Sequence, residues 1–80
     1  MERDTIVQKL QEIFARVFQE PGIQIHDGLT AEQVSRWDSL SHLTMISDVE
    51  QSFGIKFKLK ELIGMKNVGE LIQLISQKTT

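Results

Sequence analysis

The sequence predicts an all-α fold, a four-helix bundle of three longer helices and one short one with a long first loop. Three observations carry that prediction. Apolar residues recur every three or four positions in three separate stretches. Residues suited to caps and stops stand at the ends of those stretches. Eighty residues make one domain with a single small core and too little mass for a deep enclosed active site. The domain is expected to run over residues 1–80, with no internal repeat, low-complexity tract or linker.

The first helix is the clearest, because Ile6, Val7, Leu10, Ile13, Phe14, Val17 and Phe18 form one apolar stripe with charged residues between them. Asp4 or Thr5 is its expected cap and Pro21-Gly22 its stop. Residues 19–37 read as a connection holding the alternation Ile23, Ile25 and a small turn at Asp27-Gly28, and its length is unusual in so small a domain. Asp38 is a good N-cap, and Leu40, Leu43, Ile46, Val49 and Phe53 predict a helix over about 39–53. Gly54 ends it, Ile55 and Phe57 alternate briefly with Lys56 and Lys58, and Leu59 to Gly64 has room for one or two helical turns. Asn67-Val68-Gly69-Glu70 has the form of a capping box, with Glu70 reaching back to the cap, and Leu71, Ile72, Leu74 and Ile75 supply the last helix's apolar face. Met45, Leu62 and Met65 read as core rather than as a cargo pocket.

The chemically informative residue is Ser39, which falls in the first turn of the second helix. Free N–H groups and the positive dipole end of that turn suit a phosphate ester on its hydroxyl. The run Trp37-Asp38-Ser39-Leu40-Ser41-His42-Leu43, the Phe53-Gly54-Ile55 helix exit, the Asn67-Val68-Gly69-Glu70 start and the chain length together resemble the acyl and peptidyl carrier proteins, from about Ile6 to Ile75. The resemblance implies that a phosphopantetheinyl transferase moves 4′-phosphopantetheine from coenzyme A onto Ser39, with Asp38 and Leu40 as motif neighbours. The arm's thiol then carries cargo as a thioester. It implies a carrier rather than an enzyme, and a long first loop that buries a few apolar residues, for which Ile23, Ile25, Leu29 and Val34 are the candidates.

Composition narrows the partners. A formal charge of −2 leaves no footprint for nucleic acid, so partners are expected to be proteins. The absence of cysteine removes disulfides, thiolate metal sites and cysteine nucleophiles. No basic-then-apolar leader opens the chain and no apolar run nears the roughly 18 residues needed to span a bilayer, so a soluble, cytoplasmic monomer without membrane insertion is expected. Asp38, Ser39 and His42 include the residue types of a serine hydrolase, but such local spacing on one exposed turn does not supply a triad, an oxyanion hole and a cleft together. The stretch 23–34 offers only Asp27 and Glu32 as carboxylates, too few for a calcium loop. An unmodified helical adaptor remains the alternative of a different class, and a peptidyl or aminoacyl carrier the alternative within the family.

His42 stands three residues after Ser39, either near the attached arm or as a solvated surface histidine. Trp37 is either a wall beside the arm, a partner contact or an anchor for the loop. With Ser41, Thr44, Leu59 and Leu62 they form the expected docking set. The departure from the family lies in charge. Carriers of bacterial fatty acid synthesis resemble one another in an acidic second helix, whereas from residue 38 onward this chain balances Asp38, Asp48, Glu50, Glu61 and Glu70 against Lys56, Lys58, Lys60, Lys66 and Lys78. Ser41, Thr44, Ser47 and Gln51 on the second helix are uncharged. These features suggest a discrete acyl carrier of a specialised biosynthetic pathway. Its expected partners are the transferase, an acyl- or aminoacyl-activating enzyme and a downstream synthase or transferase.

Overall fold

The computed structural model describes residues 2–79. Its order is α1 (Arg3–Val17), a single 3₁₀ turn (Ala31–Gln33), α2 (Ser39–Phe53), α3 (Leu59–Gly64) and α4 (Val68–Lys78), with no strand among the described residues. The expected all-α bundle of three longer helices and one short one is what the chain forms.

α1 packs against both α2 and α4. It presents Ile6, Leu10, Ile13 and Phe14 to the core, the i, i+4, i+7, i+8 positions of one face. α2 adds Met45, Ile46, Val49 and Phe53, and α4 adds Val68, Leu71, Ile72 and Ile75. Phe18, Ile23, Leu29, Val34 and Ile55 complete the buried cluster, and Ile25, Leu62 and Met65 pack partly buried against it. α3 buries no residue completely.

Local geometry departs from expectation at four points. α1 begins at Arg3 after Glu2, so neither Asp4 nor Thr5 caps it, and the flanking Glu2 makes no side-chain cap bond. α1 also ends before Pro21-Gly22. Gln19 takes the left-handed conformation at φ 55°, and Glu20 N–H donates to Ala15 O at 3.1 Å, a Schellman-type exit without glycine. Gly54 makes the same exit from α2 at φ 67°, with Ile55 N–H donating to Glu50 O at 3.1 Å. At α4, Asn67 Oδ1 accepts from Glu70 N–H at 2.9 Å as expected, but the Glu70 carboxylate accepts from Lys66 N–H at 2.8 Å, one residue before the cap. Leu40 and Leu43 are the fourth departure: both are exposed, and Met45 takes the core position beside Ile46.

The long loop is held by its backbone. Gln11 on α1 donates its amide to Ile23 O and accepts from Ile25 N–H, gripping the chain as a neighbouring strand would. Two otherwise unpaired N–H groups at the start of α4 donate to loop carbonyls, Val68 to Leu29 at 2.9 Å and Gly69 to Asp27 at 2.9 Å. Arg3 pairs with Asp27 across the same junction. These bonds, with the burial of Ile23, Leu29 and Val34, set where the loop delivers Trp37 and Asp38.

Candidate functional site

The start of α2 is fixed by a reciprocal cap. Asp38 Oδ1 accepts from Ser41 N–H at 2.9 Å, and Ser41 Oγ accepts from Asp38 N–H at 2.8 Å while its hydroxyl donates to Arg36 O at 2.7 Å. These bonds, Ser41 N–H first, hold the Asp38 carboxyl below its ordinary range, so it stays ionised as a cap. Between them Ser39 is exposed, and among the described residues its hydroxyl has no hydrogen-bond partner.

Trp37 and His42 form a second unit. Trp37 packs edge-on to Phe14 at 5.3 Å and tilted on Phe18 at 5.3 Å, which seats the loop end on the core. Its Nε1–H donates to His42 Nδ1 at 2.9 Å, and the two rings stack at 5.9 Å. Accepting at Nδ1 requires a neutral imidazole protonated on Nε2. Burial pushes the His42 pKa down from its ordinary value, in agreement with that bond. His42 is therefore half-buried, with one face on the groove, and its described hydrogen bond is to Trp37 and not to Ser39. Trp37 is a loop anchor and a wall at once.

An open groove of about 530 Å³ lies against this turn, lined by Ser39, Trp37, His42 and Asp38 on one side and by Leu59, Leu62, Ile63, Met65 and Lys66 on the other, with Leu43 and Ala31 at its edges. The structure thus gathers Ser39, Asp38, Trp37, His42, Leu59 and Leu62 around one groove. Leu40 does not line it. Ser41 is spent in the cap, and Thr44 lies by a separate shallow depression with Leu43, Ser47, Asp48 and Gln51. Sequence reasoning did not single out Ala31, Leu43, Ile63, Met65 and Lys66 as groove residues. The signal for Ile63 was available: Leu59 and Ile63, one turn apart, form an apolar ridge on a helix too short to bury it. An exposed, unbonded hydroxyl at the edge of a largely apolar groove fits a bulky arm attached through a phosphodiester.

The sequence matches the family described as phosphopantetheine attachment site over residues 8–75. It is similar to an acyl carrier protein homolog of Mycoplasmopsis pulmonis, 43% identical over 42 residues, a stretch covering 52% of this chain and 58% of that protein. The match thus spans less than two thirds of that relative's length. Among solved structures, holo acyl carrier protein from Geobacter metallireducens superposes with a TM-score of 0.85 at 39% identity, covering 90% of this chain and 83% of that one. A Mycobacterium tuberculosis protein described as an acyl carrier protein superposes at 0.80 with 17% identity, over 89% of this chain and 95% of that one, a likeness of fold alone.

Proposed function

This chain belongs to the phosphopantetheine attachment-site family, a carrier protein and not an enzyme, and we propose that Ser39 Oγ is where its covalent 4′-phosphopantetheine is joined. The observation that carries this reading is the division of labour at the α2 start: Asp38 and Ser41 complete the cap between themselves and leave the intervening hydroxyl exposed and unbonded. In the joining step the Ser39 oxygen attacks the phosphorus of coenzyme A nearest the pantetheine. The new O–P bond replaces the bond to adenosine 3′,5′-bisphosphate, and the hydroxyl proton leaves to a base of the transferase. The bound arm supplies a thiol that holds an acyl group as a thioester.

The chain's own residues position and present. Trp37 and His42 wall one side of the groove through which the arm leaves Ser39, and Leu59, Leu62 and Met65 line the other. Tethering there raises effective concentration once a catalyst docks. The uncharged Ser41, Thr44, Ser47 and Gln51 of α2, beside an Asp48 paired with Arg16, and the lysines around α3 support a specialised pathway in place of bulk fatty acid synthesis. The reading includes a monomer acting as one domain in the cytoplasm, served by a phosphopantetheinyl transferase, an acyl-activating enzyme and a downstream synthase or transferase. No helix among the described residues is long and apolar enough to cross a membrane.

Incubation with coenzyme A, magnesium and a broad-specificity phosphopantetheinyl transferase, followed by intact-mass measurement and peptide mapping, tests the site. One phosphopantetheine on Ser39, and none on Ser39→Ala, is expected. An adduct on another serine, or none with several transferases, would overturn the assignment. The mass of protein from its native cell would identify the cargo.

A further inference from the structure

We infer that the α2–α3 face beside Ser39 docks a partner protein whose contact surface is apolar and rimmed by carboxylates. This rests on the carrier reading and names its partner's chemistry. Formal charge from residue 38 onward is balanced, but the charge available at the surface is not. Every carboxylate described there is engaged within the chain. Asp38 caps α2, Asp48 pairs with Arg16 at 2.5 Å, and Glu50 accepts from Phe57 N–H at 2.9 Å. Glu61 accepts from Lys58 N–H at 2.7 Å and pairs with Lys78 at 3.0 Å, and Glu70 accepts from Lys66 N–H at 2.8 Å. The side chains of Asp48, Glu50 and Glu61 keep only 26%, 20% and 21% of their exposure.

The cations are disposed the other way. Lys58, Lys60 and Lys66 are exposed and, among the described residues, none has an ion-pair partner. Lys56 reaches Glu50 only at 3.9 Å with its side chain 89% exposed. Arg16 and Lys78 offset the charge of Asp48 and Glu61, and Lys56 lies loosely against Glu50, whereas Asp38 and Glu70 keep theirs; around α3 the three unpaired ammonium groups Lys58, Lys60 and Lys66 outnumber Glu70 and set the local field a partner meets on that side of the groove within a Debye length of about 8–10 Å. On the same groove as Lys66 stand Leu43, Leu59 and Ile63, exposed by 58%, 73% and 76%. Sharing that groove, they make a patch and not scattered single residues. An apolar patch with unpaired ammonium groups beside it complements an apolar surface with an acidic rim, the arrangement that gives both burial and steering.

The test uses the full chain in holo form and two amphipathic helical peptides with the same leucine stripe, one carrying Glu and its twin Lys at the remaining positions. Trp37, the single tryptophan and a wall of the groove, reports binding by its emission. The acidic peptide should bind at least about tenfold tighter than its twin at low salt, and the gap should close toward 1 M salt, where the Debye length is about 3 Å. The triple variant Lys58→Glu, Lys60→Glu, Lys66→Glu should reverse the order. A triple Lys→Arg variant should keep it, and circular dichroism confirms that each variant is folded. No binding of either peptide, equal binding of both, or an order unchanged in the Glu variant overturns the inference. Sedimentation with phosphatidylserine vesicles in place of a preference for the acidic peptide overturns it too, assigning the face to lipid. Modification of Ser39, scored separately by mass, tests the carrier reading itself, so the two fail independently.

Discussion

Gly69→Ala should destabilise the protein even though alanine is the better helix former. Gly69 is the second residue of α4, and a β-carbon there would sit 3.0 Å from both Cβ and the carbonyl oxygen of Asp27 and 3.2 Å from its Cα. Two of those three atoms are backbone, so no rotamer change relieves the clash. The Asp27 backbone has to give by a few tenths of an ångström, and Gly69 N–H to Asp27 O and Val68 N–H to Leu29 O, both 2.9 Å, hold it against that shift. Overpacking costs about 1–3 kcal/mol and a weakened hydrogen bond about 1 kcal/mol, against at most about 1 kcal/mol gained in helix propensity. The net loss is about 1–3 kcal/mol, which at this chain length lowers Tm by at least about 4 °C. Urea unfolding should show the loss as a lower midpoint with unchanged slope. Gly22→Ala, where nothing lies within 4 Å of the added carbon, is the matched control and should be near neutral. A Gly69→Ala protein as stable as wild type would refute the claim that this close approach holds the loop.

Phe53→Ala should cost about 3–5 kcal/mol, because the ring closes the buried face of α2, whereas Ser39→Ala should leave the urea midpoint nearly unchanged. In an Arg36→Ala background, which already lacks the 2.7 Å bond that Arg36 donates to the Gln19 side chain, Gln19→Gly should raise stability by up to about 1 kcal/mol by relieving the left-handed backbone, φ 55°, at the α1 exit; a loss on urea unfolding there would count against strain. His42 takes its proton at lower pH in the folded chain than in the unfolded one, so the unfolded chain binds more protons as pH falls. The His42 contribution is therefore complete above its ordinary pKa of about 6.5 and is lost as pH drops through the folded value. Urea midpoints of wild type should fall below pH about 6.5 more steeply than those of His42→Gln; parallel curves would remove His42 as the cause.

The parts of the fold legible in sequence are those set by local periodicity. The α1 stripe and the Asp38 and Gly54 boundaries of α2 follow from residues within a turn or two of each other. The errors have a common cause. Leu40 and Leu43 obey helical spacing as well as Ile46 and Val49 do, and spacing alone does not say whether a face has a partner. α1 covers the middle and end of α2, so Met45, Ile46, Val49 and Phe53 enter the core while the first turns overhang beside α3, itself without a buried residue. The grip of Gln11 on Ile23 and Ile25, and the loop carbonyls that receive the α4 N–H groups, link residues distant in sequence and leave no local signal. The Trp37 to His42 bond crosses the cap from loop to helix, so helical neighbour rules, which place His42 near Ser39, do not reveal it.

With the arm on Ser39 as proposed, the start of α2 separates stability from chemistry within four consecutive residues. A serine that served as its own helix cap would lose that bond on becoming a phosphodiester, and every attachment and removal of the arm would then perturb the fold. Here the capping bonds run between Asp38 and Ser41, and Asp38 is held ionised by them, so the loss or gain of a group on Ser39 leaves each of those bonds in place. The added negative charge meets the helix's positive end, where it is favoured by about 0.3–1 kcal/mol on an exposed surface, an interaction of the same order as its repulsion by the neighbouring Asp38. Modification is therefore close to neutral for folding. The apo and holo chains should present the same groove walls and the same lysines, so that partner choice is set by the surface and not by whether the arm has already been attached.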